Sequence, residues 1–254
     1  MVEVFKKLKK SQCSEPFQPA SEQFNGSGSY GNGAAMRVHP VGMYCFEKSN
    51  ESIIAEVTNS AKVTHTHPDA INGAILQAAC TSWALQAHKL SDLRQKAHEI
   101  CSSFDKPDGD ETYARKLEKI DAFFNDKEDN IKSVIESLGN DVAAMGSVPT
   151  AFYAFLAGSQ NHSLPSKSID FFFFSNRGQL FFAGGLENIE NPFERTLHLA
   201  MAFGGDADTI MSMTGALAGA YYGFSGIPCY MKSISEGVSN AVRQGDQLHK
   251  LVTQ

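Results

Sequence analysis

Residues 69–90 read DAINGAILQAACTSWALQAHKL, and their reading decides the fold. Apolar and small side chains return every three or four positions, the period of an α-helix. Pro68 and Asp69 stand where a helix opens. Working outward, the same period recurs. Val4, Phe5 and Leu8 give a short amphipathic helix over Val2–Lys10, followed by a Pro- and Ser-containing linker at residues 14–26. The stretch AAMRVHPVGMY reads as helix interrupted at Pro40, and Ser52–His65 as a second helix capped by Ser52 or Asn50. Downstream, Ser91–Phe104, Thr112–Asn125 and Lys127–Leu138 are helical, with a turn-rich DKPDGDE break before the second of them. Gly139-Asn140 ends the third. SVPTAFYAFLAG continues with Pro149 in its first turn. After Asn191-Pro192 the pattern resumes, and Ser233–Leu251 forms a polar amphipathic tail helix. The expectation is one all-α domain spanning residues 1–254.

One segment breaks the rule. Ser163–Leu186, SLPSKSIDFFFFSNRGQLFFAGGL, has no helical period and carries a run of four phenylalanines. It reads as an extended insertion against the surface, or as a segment foreign to the fold.

Composition narrows the function. Hydrophobic residues make up 42% and charged residues 20%, as in ordinary globular chains. A net charge of −6 excludes an electrostatic nucleic-acid footprint, which needs a basic face. Any bound polyanion must be held by backbone N–H groups or a metal. The five scattered cysteines (Cys13, Cys45, Cys80, Cys101, Cys229) form no C-x-x-C and read as thiols of a reducing compartment. The opening MVEVFKKLKKSQ has no secretory h-region, and no apolar run reaches membrane-spanning length.

Three motifs carry chemistry. In GGDADTI, Asp206 and Asp208 stand two apart before Thr209. In an extended turn both carboxylates reach one hard cation such as Mg²⁺, Mn²⁺ or Ca²⁺. Equally, Asp208 can cap the following helix while Asp206 favours its positive end. The Gly26–Gly33 loop, GSGSYGNG, can offer successive N–H groups to phosphates at a helix start, or serve as a flexible linker. It is not a P-loop, because no Gly-Lys-Ser/Thr follows. His65 and His67 form a His-x-His that could ligate a metal, although two surface histidines are the simpler reading.

FNGSGSYGNGAAMRV (24–38), VTHTHPDAINGAILQA (63–78), LGNDVAAMGSVPTAFYAFL (138–156) and GGDADTIMSMTGALAGAYYG (204–223) together resemble the ADP-ribosylglycohydrolase family. They are most similar to the branch that removes ADP-ribose from serine and degrades poly(ADP-ribose). The resemblance implies a helical fold with a binuclear Mg²⁺ centre at the mouth of a cleft. It implies that Ser27, Gly28, Ser29, Tyr30, Gly31, Asn32 and Gly33 wrap the diphosphate and ribose of ADP-ribose. Phe24 and Tyr30 would flank this substrate, His65 would touch it, and Val142 would line the adenine side. Asp206, Asp208 and Thr209 would supply metal oxygens. The partners implied are ADP-ribose or ADP-ribosylated proteins, with no direct nucleic acid and no membrane. The chain would act as a monomer in the cytoplasm, nucleus or mitochondrial matrix, with a place in the DNA damage response.

The chain also departs from the family pattern. Ala207 stands where threonine is common, which leaves both flanking carboxylates in place. The family's opening segment holds a Gly-Asp motif, an essential glutamate and a Thr-Asp-Asp motif; nothing equivalent precedes Phe24, and no Thr-Asp-Asp occurs in the chain. No catalytic residue is therefore assigned, with Glu22 and Glu47 as the first substitutes to consider. The departures point to an incomplete or mis-joined gene product, or to a truncated paralogue, that turns over poorly as it stands.

Overall fold

A computed structural model of the chain describes residues 2–86, 89–104, 112–125, 130–160 and 189–253. The Phe-rich segment 163–186 and the DKPDGDE break lie outside the described residues. Among the described residues the fold is all-α, as the periodicity predicts, with one isolated antiparallel bridge between Gly31 and Ala143 as the sole β pairing.

Helix α1 spans Val2–Lys10 and α2 spans Gln18–Ser21, inside the stretch expected to be linker. Val4, Leu8 and Ala20 form a small cluster with Val63, whereas Phe5 is exposed instead of joining Val4 and Leu8 on the inner face. The helix expected from residue 34 is only a 3₁₀ turn, Ala35–Arg37, before α3 at His39–Tyr44. Helix α4 (Asn50–Lys62) is capped by Ser49, whose Oγ accepts the Ser52 N–H, and not by Asn50 or Ser52.

Helix α5 (Pro68–Leu85) is the centre of the molecule. Nearly every residue from Ala70 to Ala84 is buried, so its sequence is apolar or small all round. It ends at Leu85, short of the sequence expectation, and Ala87 and His88 lie outside the described residues. Helices α6 (Leu90–Ser102), α7 (Tyr113–Asn125) and α8 (Ile131–Leu138) follow. The Lys116 ammonium donates to the Ser137 and Leu138 carbonyls at 3.0 and 3.1 Å, satisfying the open end of α8.

Helix α9 (Ala144–Gln160) begins earlier than its proline suggested, and Pro149 lies inside it. It is as thoroughly buried as α5 and packs against α10 (Pro192–Ala202) and α11 (Ala207–Gly226). Glycine sets the closeness of these helices: a β-carbon on Gly158 would lie 2.6 Å from the Thr196 Cα of α10. The expected tail helix is two helices, α12 (Cys229–Ile234) and α13 (Val238–Val252), broken at Gly237 in the left-handed region (φ 75°). No described helix is long and apolar enough to cross a membrane.

Candidate functional site

The loop at residues 24–33 is held in an unusual path by its own residues. Phe24 and Asn25 adopt left-handed backbone (φ 49° and 56°), as do Gly26 and Gly28 (φ 94° and 75°). Gly28 is the position that must lack a side chain. A β-carbon there would collide with Thr66 Oγ1 and lie 2.8 Å from the His67 nitrogen, so the loop rests directly on the Thr66–His67 peptide. Gly31, by contrast, has room for a β-carbon, with Ser29 Oγ, Val142 O and His65 Nε2 at 3.5–3.7 Å.

Several loop N–H groups are already engaged. Ser27 and Gly28 donate within the loop to the Phe24 and Gln23 carbonyls, Gly31 to Ser29 Oγ, and Asn32 to the Val142 carbonyl at 2.9 Å. Among the described residues, the N–H groups of Ser29, Tyr30 and Gly33 meet no protein acceptor. No long helix begins at the end of the loop, so a helix dipole adds nothing to an anion there.

Asn32 ties the loop to the rest of the site. Its buried side-chain amide donates to Asp206 Oδ2 at 2.6 Å and to Ser147 Oγ at 3.0 Å. The Ala144 N–H donates to the Tyr30 carbonyl at 3.0 Å. From below, the Asn140 carbonyl accepts the Asp206 N–H at 2.8 Å, and the Asn140 amide donates to the Phe203 carbonyl at 2.7 Å. Gly205 (φ 61°) lies directly against Asn140, where a side chain would clash with its backbone carbonyl. Residues 32, 142 and 206 thus meet at one place.

Asp206 occupies the N-cap position of α11 but makes no side-chain cap, its carboxylate being turned to Asn32. Asp208 is not the cap either; it stands in the first turn, and its Oδ1 accepts the Thr209 N–H at 2.9 Å. Ala207 is already helical, so the extended turn expected for this Asp-Ala-Asp is not formed. Two carboxylates and the Thr209 hydroxyl are hard oxygen donors, suited to Mg²⁺ in kind. They can fill about three of the roughly six positions of one such ion. Among the described residues, no group of three His, Cys, Asp or Glu side chains converges there or elsewhere. The donors present therefore match a hard cation in kind, and are too few by themselves to make a binuclear centre.

At the open side, Phe24 and Tyr30 are 60% and 49% exposed, with ring centroids 5.9 Å apart. Val142 is also exposed beside them in the chain path that pairs with the loop. His65 corrects the surface reading: it is buried, its Nδ1 lies 2.7 Å from Thr64 Oγ1, and burial, aided by the nearby Arg37 guanidinium, pushes its pKa down to about 4. His67 caps α5, its Nδ1 accepting the Asp69 N–H at 3.2 Å. Arg37, which the motif reading passed over, donates to the Gly33 carbonyl at 2.5 Å and to Thr64 Oγ1 at 2.6 Å, clamping the end of the loop. Of the substitute carboxylates, Glu22 is engaged by Lys7 Nζ at 2.6 Å and by Gln18 at 3.0 Å, and these contacts hold it below the usual carboxylate range. Glu47 is exposed on the turn after α3.

The sequence model of the ADP-ribosylglycohydrolases matches residues 1–254, the whole chain. The chain belongs to the ADP-ribosylglycohydrolase family. Among curated relatives it is 34% identical over 263 residues to the Homo sapiens ADP-ribosylhydrolase ARH3, covering 99% of this chain and 66% of that protein. The Xenopus tropicalis ADP-ribosylhydrolase ARH3 is 36% identical over 266 residues, covering 99% of this chain and 69% of the relative. The chain thus spans about two thirds of the length of these ADP-ribosylhydrolases. A solved ADP-ribosylglycohydrolase-related protein complex shares the fold, with a TM-score of 0.56 at 19% identity over 98% of this chain and 70% of the solved one.

Proposed function

We propose that this ADP-ribosylglycohydrolase binds ADP-ribose across the Phe24–Gly33 loop and acts on the O-glycosidic bond at its anomeric carbon, with serine-ADP-ribose and poly(ADP-ribose) as substrates. The observation that carries this reading is the Asn32 amide, which joins the loop to Asp206 at 2.6 Å and so sets a phosphate-binding backbone beside the carboxylate pair. In this reading Phe24 and Tyr30 flank the base and Val142 lines its edge. The free N–H groups of Ser29, Tyr30 and Gly33 hold the diphosphate, which answers how an acidic chain meets a polyanion. Asp206, Asp208 and Thr209 would hold Mg²⁺, which when bound orients ribose hydroxyls and offsets developing charge. Asn32 keeps the Asp206 carboxylate aimed at the loop, and buried His65 stays neutral beneath Gly31. We place the chain inside the cell as a monomer.

A second reading, ADP-ribose binding without turnover, is favoured by the absence of any converging group of three titratable ligands among the described residues. One experiment separates them. The purified chain is titrated with ADP-ribose by calorimetry, then incubated with a serine-ADP-ribosylated peptide and millimolar Mg²⁺. Release of ADP-ribose that disappears in Asp208→Asn supports hydrolysis. Binding without release supports the second reading, and absence of both refutes the site.

A further inference from the structure

We infer that His67 is a positioning residue of this site: it sets the pitch of the Tyr30 ring, and through it the affinity for the flat base of a nucleotide. The inference rests on the ADP-ribose reading of the loop. Tyr30 is half exposed and has two described ring neighbours, Phe24 at 5.9 Å and His67 at 6.0 Å. Phe24 is more exposed still, and its ring cannot be fixed by a hydrogen bond. His67 can. Its Nδ1 accepts the Asp69 N–H at 3.2 Å, fixing the ring at the start of α5, which with α9 is the most buried helix among the described residues. With Nδ1 as acceptor, the neutral ring carries its proton on Nε2. Thr66 Oγ1 beside it donates to the Ala20 carbonyl at 3.4 Å, and Gly28 rests on the Thr66–His67 peptide. Loop and imidazole therefore keep a fixed distance.

The Tyr30 and His67 planes meet at 75°, an edge-to-face arrangement that ring quadrupoles favour. A tyrosine held this way does not have to be ordered when a base stacks on it, and lower ordering cost is tighter binding. His67 is thus the rigid member of three rings, and the other two face the ligand.

Capping and positioning can be separated by two substitutions. His67→Asn keeps a side-chain acceptor for the Asp69 N–H but removes the ring. His67→Phe keeps a ring and removes the acceptor. The Asn variant should melt near wild type and bind ADP-ribose about three- to tenfold more weakly, the range for one aromatic pair. The Phe variant should melt lower and bind with nearly wild-type Kd. Calorimetry and thermal melts on the full chain read both. Affinity that follows melting temperature, tight for Asn and weak for Phe, reduces His67 to a helix cap and overturns the inference. Equal Kd in all three proteins overturns it as well, while leaving the ADP-ribose reading intact. Failure of the wild-type chain to bind ADP-ribose overturns both.

Discussion

Histidine protonation shows most directly what burial does at single residues. His65 and His39 are both pushed down to about 4 by burial, from an ordinary value of 6.5. In the unfolded chain both titrate near 6.5. Between pH 6.5 and 4, then, the unfolded state takes up protons that the folded state refuses. Stability must fall on acidification through this window and stop responding to these two groups below about pH 4. Melting temperatures measured from pH 7.5 to 4.5 should decline, and His65→Gln should show a shallower decline. A curve flat across this range would mean that both rings reach solvent in the folded state. The same burial is where the surface expectation for His65 fails. A histidine before a helix gives no local sign of which elements will cover it.

Helix packing supplies a paired test at the scale of the element. Gly158 of α9 faces the Thr196 backbone of α10 with no space for a methyl group. Gly158→Ala forces the two helices apart and should cost about 1–3 kcal/mol. Gly219 lies inside α11 with nothing within 4 Å of a β-carbon. Gly219→Ala should therefore stabilise by about 0.5–1 kcal/mol, the usual helix-propensity difference. Chemical denaturation of the two variants checks both signs, and a stabilised Gly158→Ala would mean that α9 and α10 are not in close contact. Sequence periodicity found both helices but could not rank their glycines. Both glycines stand in runs of small residues, and only the neighbouring helix makes one of them obligatory.

Across the whole molecule, order should be uneven. Helices α5 and α9 are buried on every side, whereas α13 has no buried residue and touches the body mainly through α3. Beside it runs an apolar groove of about 700 Å³ lined by residues such as Leu197, Ile227, Met231 and Val242. Local opening free energy follows buried contact, so amides of α13 should exchange with solvent orders of magnitude faster than those of α5 and α9. Exchange followed by mass spectrometry reads this directly. Protection of α13 equal to that of α5 would place it within the cooperative core.

The division between sequence and tertiary structure follows the range of the forces. A period of 3.6 residues, a proline in a first turn and a glycine after a last turn act within a few positions, so α1, α4, α5, α7 and α10 could be read from the chain to within a few residues. The four motifs placed the loop and the Asp206–Asp208 pair in one family's order, but by themselves the Asp-Ala-Asp, the glycine loop and the His-x-His each left two readings open. The local conformation of Asp206 and the burial of His65 were decided by contact across the fold. Asp206 is not a helix cap because Asn32, 174 positions away, draws its carboxylate aside. His65 is not on the surface because the loop covers it, and Ser49 rather than Asn50 caps α4 because its backbone is extended there. Such choices depend on groups that meet only when the helices pack, and no local pattern in the sequence encodes that meeting.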